Sequence, residues 1–377
     1  MSRNKSLLGL GAVLTAALTV CSMGSANADL NPSPTDAVGI GSDTVQNMGN
    51  FLADGDNAGN PGYNSAFPKN RMVSFDATPD ANDRAGYLNG SSASLPKALN
   101  PTIVLRQGLQ PVQRPNGSGS GVAALIGDIG ATHNIDFVRM SRLPKSGEYA
   151  LATAAANVGP LRAVKISTDN LKLATATTTN APATLTAAQI VSIYQCTTTD
   201  WIAVGGTTGT IVPQIPQSGS GTGDTFRADL ATLNGGPAVT LGGCVQVGEE
   251  NDPAVLASNP NAIGPFSEGR KNLYDSGYFN NPANKYGTPQ VALTSGIKFN
   301  SETTYTTNRG LFIVFRDNDT NAPSKFQPGG SRNIIRDLFY NPGGGAPFVQ
   351  GASGQADITA AGGVATYVVC AVAATTC

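Results

Sequence analysis

Short apolar runs alternate along this chain with stretches whose apolar residues recur at helical spacing. The runs at 102–105, 135–140, 163–166, 211–215 and 311–315 predict strands, and 121–126, 186–194 and 225–233 predict helices. That alternation is the pattern of an α/β chain. Clusters of Gly, Asn and Pro at 54–68 and 280–289 predict loops. The first of these holds Asp54, Asp56, Asn57 and Asn60, but the ligand spacing of a calcium loop is not met, so a solvated turn is expected there.

The amino terminus departs from the pattern. Arg3 and Lys5 precede an apolar stretch over 7–20, and small residues follow, ending in Ala26, Asn27 and Ala28. This order predicts a secretory signal peptide over 1–28, with the mature chain starting near Asp29. The stretch is short for a bilayer, and no later segment approaches the roughly 20 apolar residues of a membrane-spanning helix. A secreted or cell-surface protein is expected. Leu18, Thr19, Val20 and Cys21 resemble a bacterial lipid-attachment box except at Val20, so a lipid anchor on Cys21 is the lesser alternative to free secretion.

Loss of Cys21 with the signal leaves Cys196, Cys244, Cys370 and Cys377. An even number in an oxidising compartment implies two disulfides, and three pairings are open. Proximity in sequence favours Cys370 with Cys377 and Cys196 with Cys244. No metal site is expected: C-x-x-C is absent, and the single histidine, His133, lies far from every cysteine in sequence.

A chain of 377 residues is longer than one small core organises, so two lobes are expected. The charge is nearly balanced, with 24 Lys and Arg against 25 Asp and Glu and no basic stripe, which argues against a nucleic-acid partner.

Three small-residue turns carry the candidate chemistry: 39–44, 116–121 and 218–222, each ahead of an apparently helical segment. A helix start directs free backbone N–H groups and a partial positive charge at one point, and glycine lets an anion approach the backbone. Ser and Thr hydroxyls add donors that rotate to suit a ligand.

The wider order of motifs is similar to that of phosphate-binding proteins of ABC transporters. The run 185–194, followed by Asp200, Trp201, Gly205 and Gly206, resembles a segment typical of that family. Gly219, Ser220, Gly221 and Thr222 with Phe226 resemble its second-lobe anion loop, and Asn251 with Asp252 and the run 261–264 its next helix and strand. The run 308–315 resembles its late return strand, and 135–142 the strand that ends at the ligand. The resemblance extends from about Val38 to Arg316.

This resemblance implies a two-lobed type II periplasmic-binding-protein-like fold with a hinge between the lobes, near Val164 and Pro265. One lobe would comprise 29–163 and 265–377, the other 164–264. It implies a monomeric solute-binding protein that captures a small oxyanion, inorganic phosphate first, delivers it to an ABC transporter permease and needs no cofactor. A different anion or a phosphorylated metabolite is the alternative ligand. The ligand-binding residues implied are Ser42, Asp43, Thr44, Ser118, Gly119, Ser141, Arg142, Ser220, Gly221 and Thr222.

Three departures accompany the match. Pro216 stands where many members carry an arginine, Ser218 where they carry an aspartate, and Arg142 where they carry a ligand-contacting aspartate. A carboxylate matters because phosphate keeps a proton near neutral pH and sulfate does not, so an acceptor selects phosphate. Asp43 is the candidate for that role, alongside an N-cap role for the helix after it. Arg142 is either an anion contact or a surface or inter-lobe salt bridge, with Arg114 and Arg139 as fallback cations.

An enzyme fits poorly. There is no G-x-S-x-G elbow, His133 is the only imidazole base, and the acidic pairs Glu249 with Glu250 and Asp80 with Asp83 read as solvated surface.

Overall fold

The computed structural model describes residues 32–56, 59–77, 102–278, 295–321 and 333–377. The expected signal peptide, Asn57, the pair Asp80 and Asp83, and the loop at 280–289 lie outside these residues. Among the described residues, no helix is long and apolar enough to cross a membrane.

Two parallel strand clusters are built from the short apolar runs. The first joins β1 (Ala37–Gly41) to β2 (Met72–Ser74) on one side and to a later strand, Phe137–Met140, on the other. Between them in sequence, β3 (Thr102–Ile103) and β4 (Val112–Gln113) form a separate small hairpin, so Phe137–Met140 is β5. The strand expected over 102–105 is therefore shorter than its apolar pattern. The hairpin ladder ends at Ile103, and Leu105 is buried from a loop instead.

β6 (Leu161–Ala176) is far longer than the expected 163–166. The second parallel cluster follows it: β7 (Val212–Pro216) pairs with β8 (Gln246–Gly248) and β9 (Ala262–Ser267). β10 (Ile297–Asn300) and β11 (Thr306–Arg316) then run antiparallel to β6, and β12 (Val364–Val369) pairs with β6 on its other side. The resulting order is β2-β1-β5-β11-β6-β9-β7-β8.

β11, which pairs with β5, and β6, which pairs with β9, thus link the two clusters. Their register runs from Arg316 opposite Leu161 to Thr306 opposite Lys172, with a shift between Leu311 and Phe312. Val164 lies within β6, opposite Ile313, whereas Pro265 is paired with Leu173 inside β9.

The sheet is covered on both faces. On one face a single apolar cluster passes from Val45, Phe51 and Phe137 to Phe266, Leu273 and Ile297, crossing from the first strand cluster to the second. On the other face the layer is divided: Ile40, Val122, Val138 and Val314 pack in the first half, and Ile190, Tyr194, Trp201, Phe226 and Ile263 in the second. A core continuous on one side and divided on the other leaves the polar site between two packed halves.

Among the described residues, the α-helices over 46–233 are α1 (Gln46–Asp54) after β1, α2 (Tyr63–Ala66), α3 (Ser118–Gly127), α4 (Ser146–Ala154), α5 (Ala187–Tyr194) and α6 (Gly221–Leu233). α2 lies inside the expected loop at 54–68 because Tyr63 buries its ring against Phe67 and Phe348. Asp56 there is half-buried and accepts from the Asn60 backbone and side chain, at 3.0 and 2.7 Å. α5 starts as its sequence dictates: Thr186 and Gln189 close a capping box.

Two disulfides tie the chain, Cys196 to Cys244 and Cys370 to Cys377, the pairings favoured by proximity.

Candidate functional site

The candidate residues follow the carboxyl ends of the parallel strands, where open α/β sheets bind ligands. β1 leads to Ser42, Asp43 and Thr44, β5 to Ser141 and Arg142, and β7 to the turn holding Ser220, Gly221 and Thr222. β8 leads to Glu249, Glu250 and Asn251, and β9 to Arg270. Because both parallel clusters point these ends inward, residues remote in sequence meet.

The three glycine-serine turns are in direct contact. Gly119 N donates to Gly219 O at 2.8 Å, joining the turn that opens α3 to the turn that opens α6. Gly117, the N-cap of α3, has φ +99°, and a Cβ there would lie 2.4 Å from Gly219 O. Only glycine serves at such a position. Ser118 Oγ accepts from Ser141 N at 2.9 Å and lies 3.3 Å from Ser141 Oγ, which fixes α3 against the end of β5. Ser220 caps α6 by accepting from Gly223 N at 2.9 Å.

The first turn behaves differently from expectation. α1 is capped by Val45 with no side-chain hydrogen bond, so Asp43 is not its N-cap. Asp43 is fully buried, its Oδ1 lying 3.8 Å from Arg270 Nη2, and Arg270 also donates to Asn47 Oδ1. The neighbouring Ser42 Oγ is buried and has no hydrogen-bond partner among the described residues.

Thr44 reaches the third turn, its Oγ1 lying 3.3 Å from Thr222 Oγ1. Both hydroxyls donate to Glu250 Oε1, Thr222 at 2.7 Å. Asn251 Nδ2 donates to Thr44 Oγ1 at 3.0 Å, and Arg309 Nη1 to Thr222 Oγ1 at 2.7 Å. Arg309 is held on β11 by Asp169, its partner on β6, through Nε and Nη2 at 3.1 and 2.9 Å. Gln217 and Asn116 complete the polar layer, and Asn116 Nδ2 donates to both oxygens of Glu249 at 3.0 Å.

Glu249 and Glu250, expected on the solvated surface, are 3% and 0% exposed. The turn after β8 folds them under the other turns, and Glu250 N donates to Gln217 Oε1 at 2.8 Å. Sequence reasoning missed Glu250, Arg309 and Asp169. The one available signal was the position of Glu250 directly before Asn251 and Asp252, residues that already carried part of the family resemblance.

Arg142 takes its salt-bridge alternative. Its guanidinium donates to both oxygens of Glu148 at 2.8 Å and through Nε to Asp224 Oδ2 on α6 at 2.8 Å, and Lys145 joins Asp224 at 2.9 Å. Burial alone would lower the pKa of Arg142, but Glu148 and Asp224 more than offset this and hold it raised. The fallback cations also have structural tasks. Arg139 donates to Ser74 Oγ and Phe75 O, and its complete burial pushes its pKa down to about 10 against the charges of Asp76 and Asp43. Arg114 donates to Asp76 O at 2.9 Å. His133 Nδ1 contacts Asp128 O at 3.0 Å, remote from the serines of the turns.

Beside the turns lies an open cleft of about 530 Å³, lined among others by Ser141, Arg142, Lys145, Thr225 and Arg309. No group of acidic, cysteine or histidine side chains among the described residues has the arrangement of a metal site.

Residues 97–281 match the family model of the PBP superfamily domain. The fold is the two-lobed, type II periplasmic-binding-protein fold. Solved structures agree in fold. A protein from Clostridium perfringens, assigned as a phosphate ABC transporter substrate-binding protein and solved with bound phosphate, is 16% identical. The match covers 88% of this chain and 99% of that one, with a TM-score of 0.53. A DING protein is 15% identical over 88% of this chain and 91% of its own, with a TM-score of 0.50. No curated protein sequence matches the chain.

Proposed function

We propose that this protein is an exported solute receptor that closes its two halves around a small oxyanion, inorganic phosphate first, and passes it to a membrane transporter. The observation that carries the reading is the convergence of three glycine-serine turns from both halves. Buried Ser42, Thr44, Ser118, Ser141, Ser220 and Thr222 gather there, and the Gly119 to Gly219 contact closes the junction. The Clostridium neighbour with bound phosphate supports the choice of ligand class.

One lobe is built on β1, β2, β5 and β12 and the other on β7, β8, β9 and β10, with β6 and β11 running through both as the hinge. Opening would part Gly119 from Gly219 and Thr44 from Thr222. The four serine hydroxyls, with the backbone N–H groups of the turns, suffice energetically: micromolar binding needs about 8 kcal/mol, and a hydrogen bond to a charged group contributes roughly 1.5 to 3 kcal/mol.

A second reading, a phosphorylated metabolite, is favoured by the 530 Å³ cleft beside the turns, a volume within the range of small-molecule sites. Titration calorimetry of the mature protein with phosphate, sulfate and a sugar phosphate decides between them. Micromolar phosphate binding with a silent sulfate arm is the expected result. Preference for the sugar phosphate selects the second reading, and silence in all three arms refutes both.

A further inference from the structure

Arg142 and its partners make a second contact between the halves, apart from the turn hydroxyls. Arg142 follows β5 in the half that holds α3 and α4, whereas Asp224 stands in the first turn of α6 in the other half. The guanidinium lies against the turn junction: a Cβ on Gly119 would stand 3.3 Å from Arg142 Nη2 and 3.3 Å from Gly219 O.

The two sides of this contact are built unequally. Arg142 is fixed from its own half, donating to both oxygens of Glu148 and, through Nη1 at 2.9 Å, to Leu143 O. Glu148 is held in turn by the capping box that starts α4, accepting from Lys145 N at 2.6 Å. Asp224 has no such support. Among the described residues both of its ionic partners, Arg142 at 2.8 Å and Lys145 at 2.9 Å, come from the opposite half.

Opening would therefore leave Arg142 with Glu148 but strip Asp224 of both cations. It would also separate charge: Arg142, Lys145 and Glu148 sum to a net positive charge on one half, and Asp224 is negative on the other. The side chains of Arg142 and Asp224 are 12% and 28% exposed and belong to a network of four charges, the case in which an ion pair outweighs the ordering of its side chains. Among the described residues, none of the four side chains is hydrogen-bonded to a hydroxyl of the turns, so the network is complete without any contact to a ligand.

We propose that this network is a latch that holds the two halves closed before any anion arrives, with Asp224 as the group released on opening. The inference rests on the two-half closure of the receptor reading above and not on which anion binds. The latch acts on the closing equilibrium alone, which its charged hydrogen bonds shift by about tenfold to hundredfold. With about ten closed molecules to one open in the wild type, loss of the latch brings that ratio to between about 1:1 and about 1:10. Affinity follows the closed fraction, so it should fall by about 2-fold to 10-fold for any anion.

The test is small-angle X-ray scattering of the mature protein without ligand, on the wild type, Asp224→Asn and Lys145→Ala, beside phosphate calorimetry on the same proteins. Asp224→Asn is expected to show a larger radius of gyration than the wild type, with phosphate affinity lower by about 2-fold to 10-fold. Lys145→Ala, which removes one of the two cations, should move the same way by less. Saturating phosphate should return Asp224→Asn to the wild-type radius, which a protein merely loosened by the substitution would not do. An equal ligand-free radius in folded Asp224→Asn and the wild type overturns the latch, whatever the affinities. A wild type that binds no phosphate overturns the receptor reading instead, and the ligand-free scattering still decides the latch.

Discussion

A close approach between the halves makes the most demanding prediction. Gly221 opens α6, and a Cβ placed on it would lie 2.3 Å from Ser141 Oγ and 2.4 Å from Ser118 Oγ. Ordinary carbon to oxygen contact is about 1 Å longer, so Gly221→Ala must either rotate both serines or part the turns by about that distance. Rotating Ser118 removes the acceptor of the buried Ser141 amide, at a cost of about 1 to 3 kcal/mol. Parting the turns breaks the Gly119 to Gly219 bond, about 0.5 to 1.5 kcal/mol, and overpacking adds about 1 to 3 kcal/mol.

The closed, liganded state should therefore lose about 2 to 4 kcal/mol, which is roughly 30-fold to 1000-fold in affinity. The open form, in which the halves do not touch, should be almost unaffected, so the circular dichroism spectrum is expected to be unchanged. Gly127→Ala is the control, because its added methyl meets nothing within 4 Å. Phosphate titration of both variants beside the wild type gives the comparison. Wild-type affinity in Gly221→Ala would refute the argument that the ligand is held where these turns meet.

Two other predictions concern stability. Asp357 lies on the helix Ala352–Ala360, buried, with neither carboxylate oxygen hydrogen-bonded among the described residues. Burial and the charge of Asp56 push its pKa up to about 8. A folded-state value above the unfolded one means the unfolded chain holds fewer protons, so stability should fall as pH rises from about 4 to 8 and then level off, by at most ~1.4 kcal/mol per unit. Urea denaturation across that range, with Asp357→Asn abolishing the slope, checks the sign; a slope that persists in the variant belongs to other groups. Cys196 to Cys244 closes a loop of 48 residues, and its loss through paired serine substitutions should cost about 4 kcal/mol, against about 2 kcal/mol for the seven-residue loop of Cys370 to Cys377. Equal shifts in denaturation midpoint for the two pairs would contradict that loop-length argument.

What the sequence determined by itself was local or periodic. Apolar runs set where most strands and helices form, the parity and spacing of cysteines pointed to both disulfides, and glycine beside serine marked turns that only a close approach would require. The same reading shortened β6 to 163–166, because the polar residues Ser167, Thr168, Asp169 and Asn170 interrupt the apolar run. Pairing with β11 and β12 on either side carries the strand through them.

The identity of the polar groups facing one another was decided only in three dimensions. Glu250 reads as surface because neighbouring carboxylates are normally hydrated, yet it lies 206 residues from Thr44 in sequence and bonds to it. Arg142 reads equally well as a ligand contact until Asp224 arrives from α6, 82 residues on. Arg309 and Asp169 had no role assigned from sequence, and the register of β11 on β6 sets them opposite each other. Burial of a charge depends on which distant partner removes the water around it, and no local pattern encodes that partner.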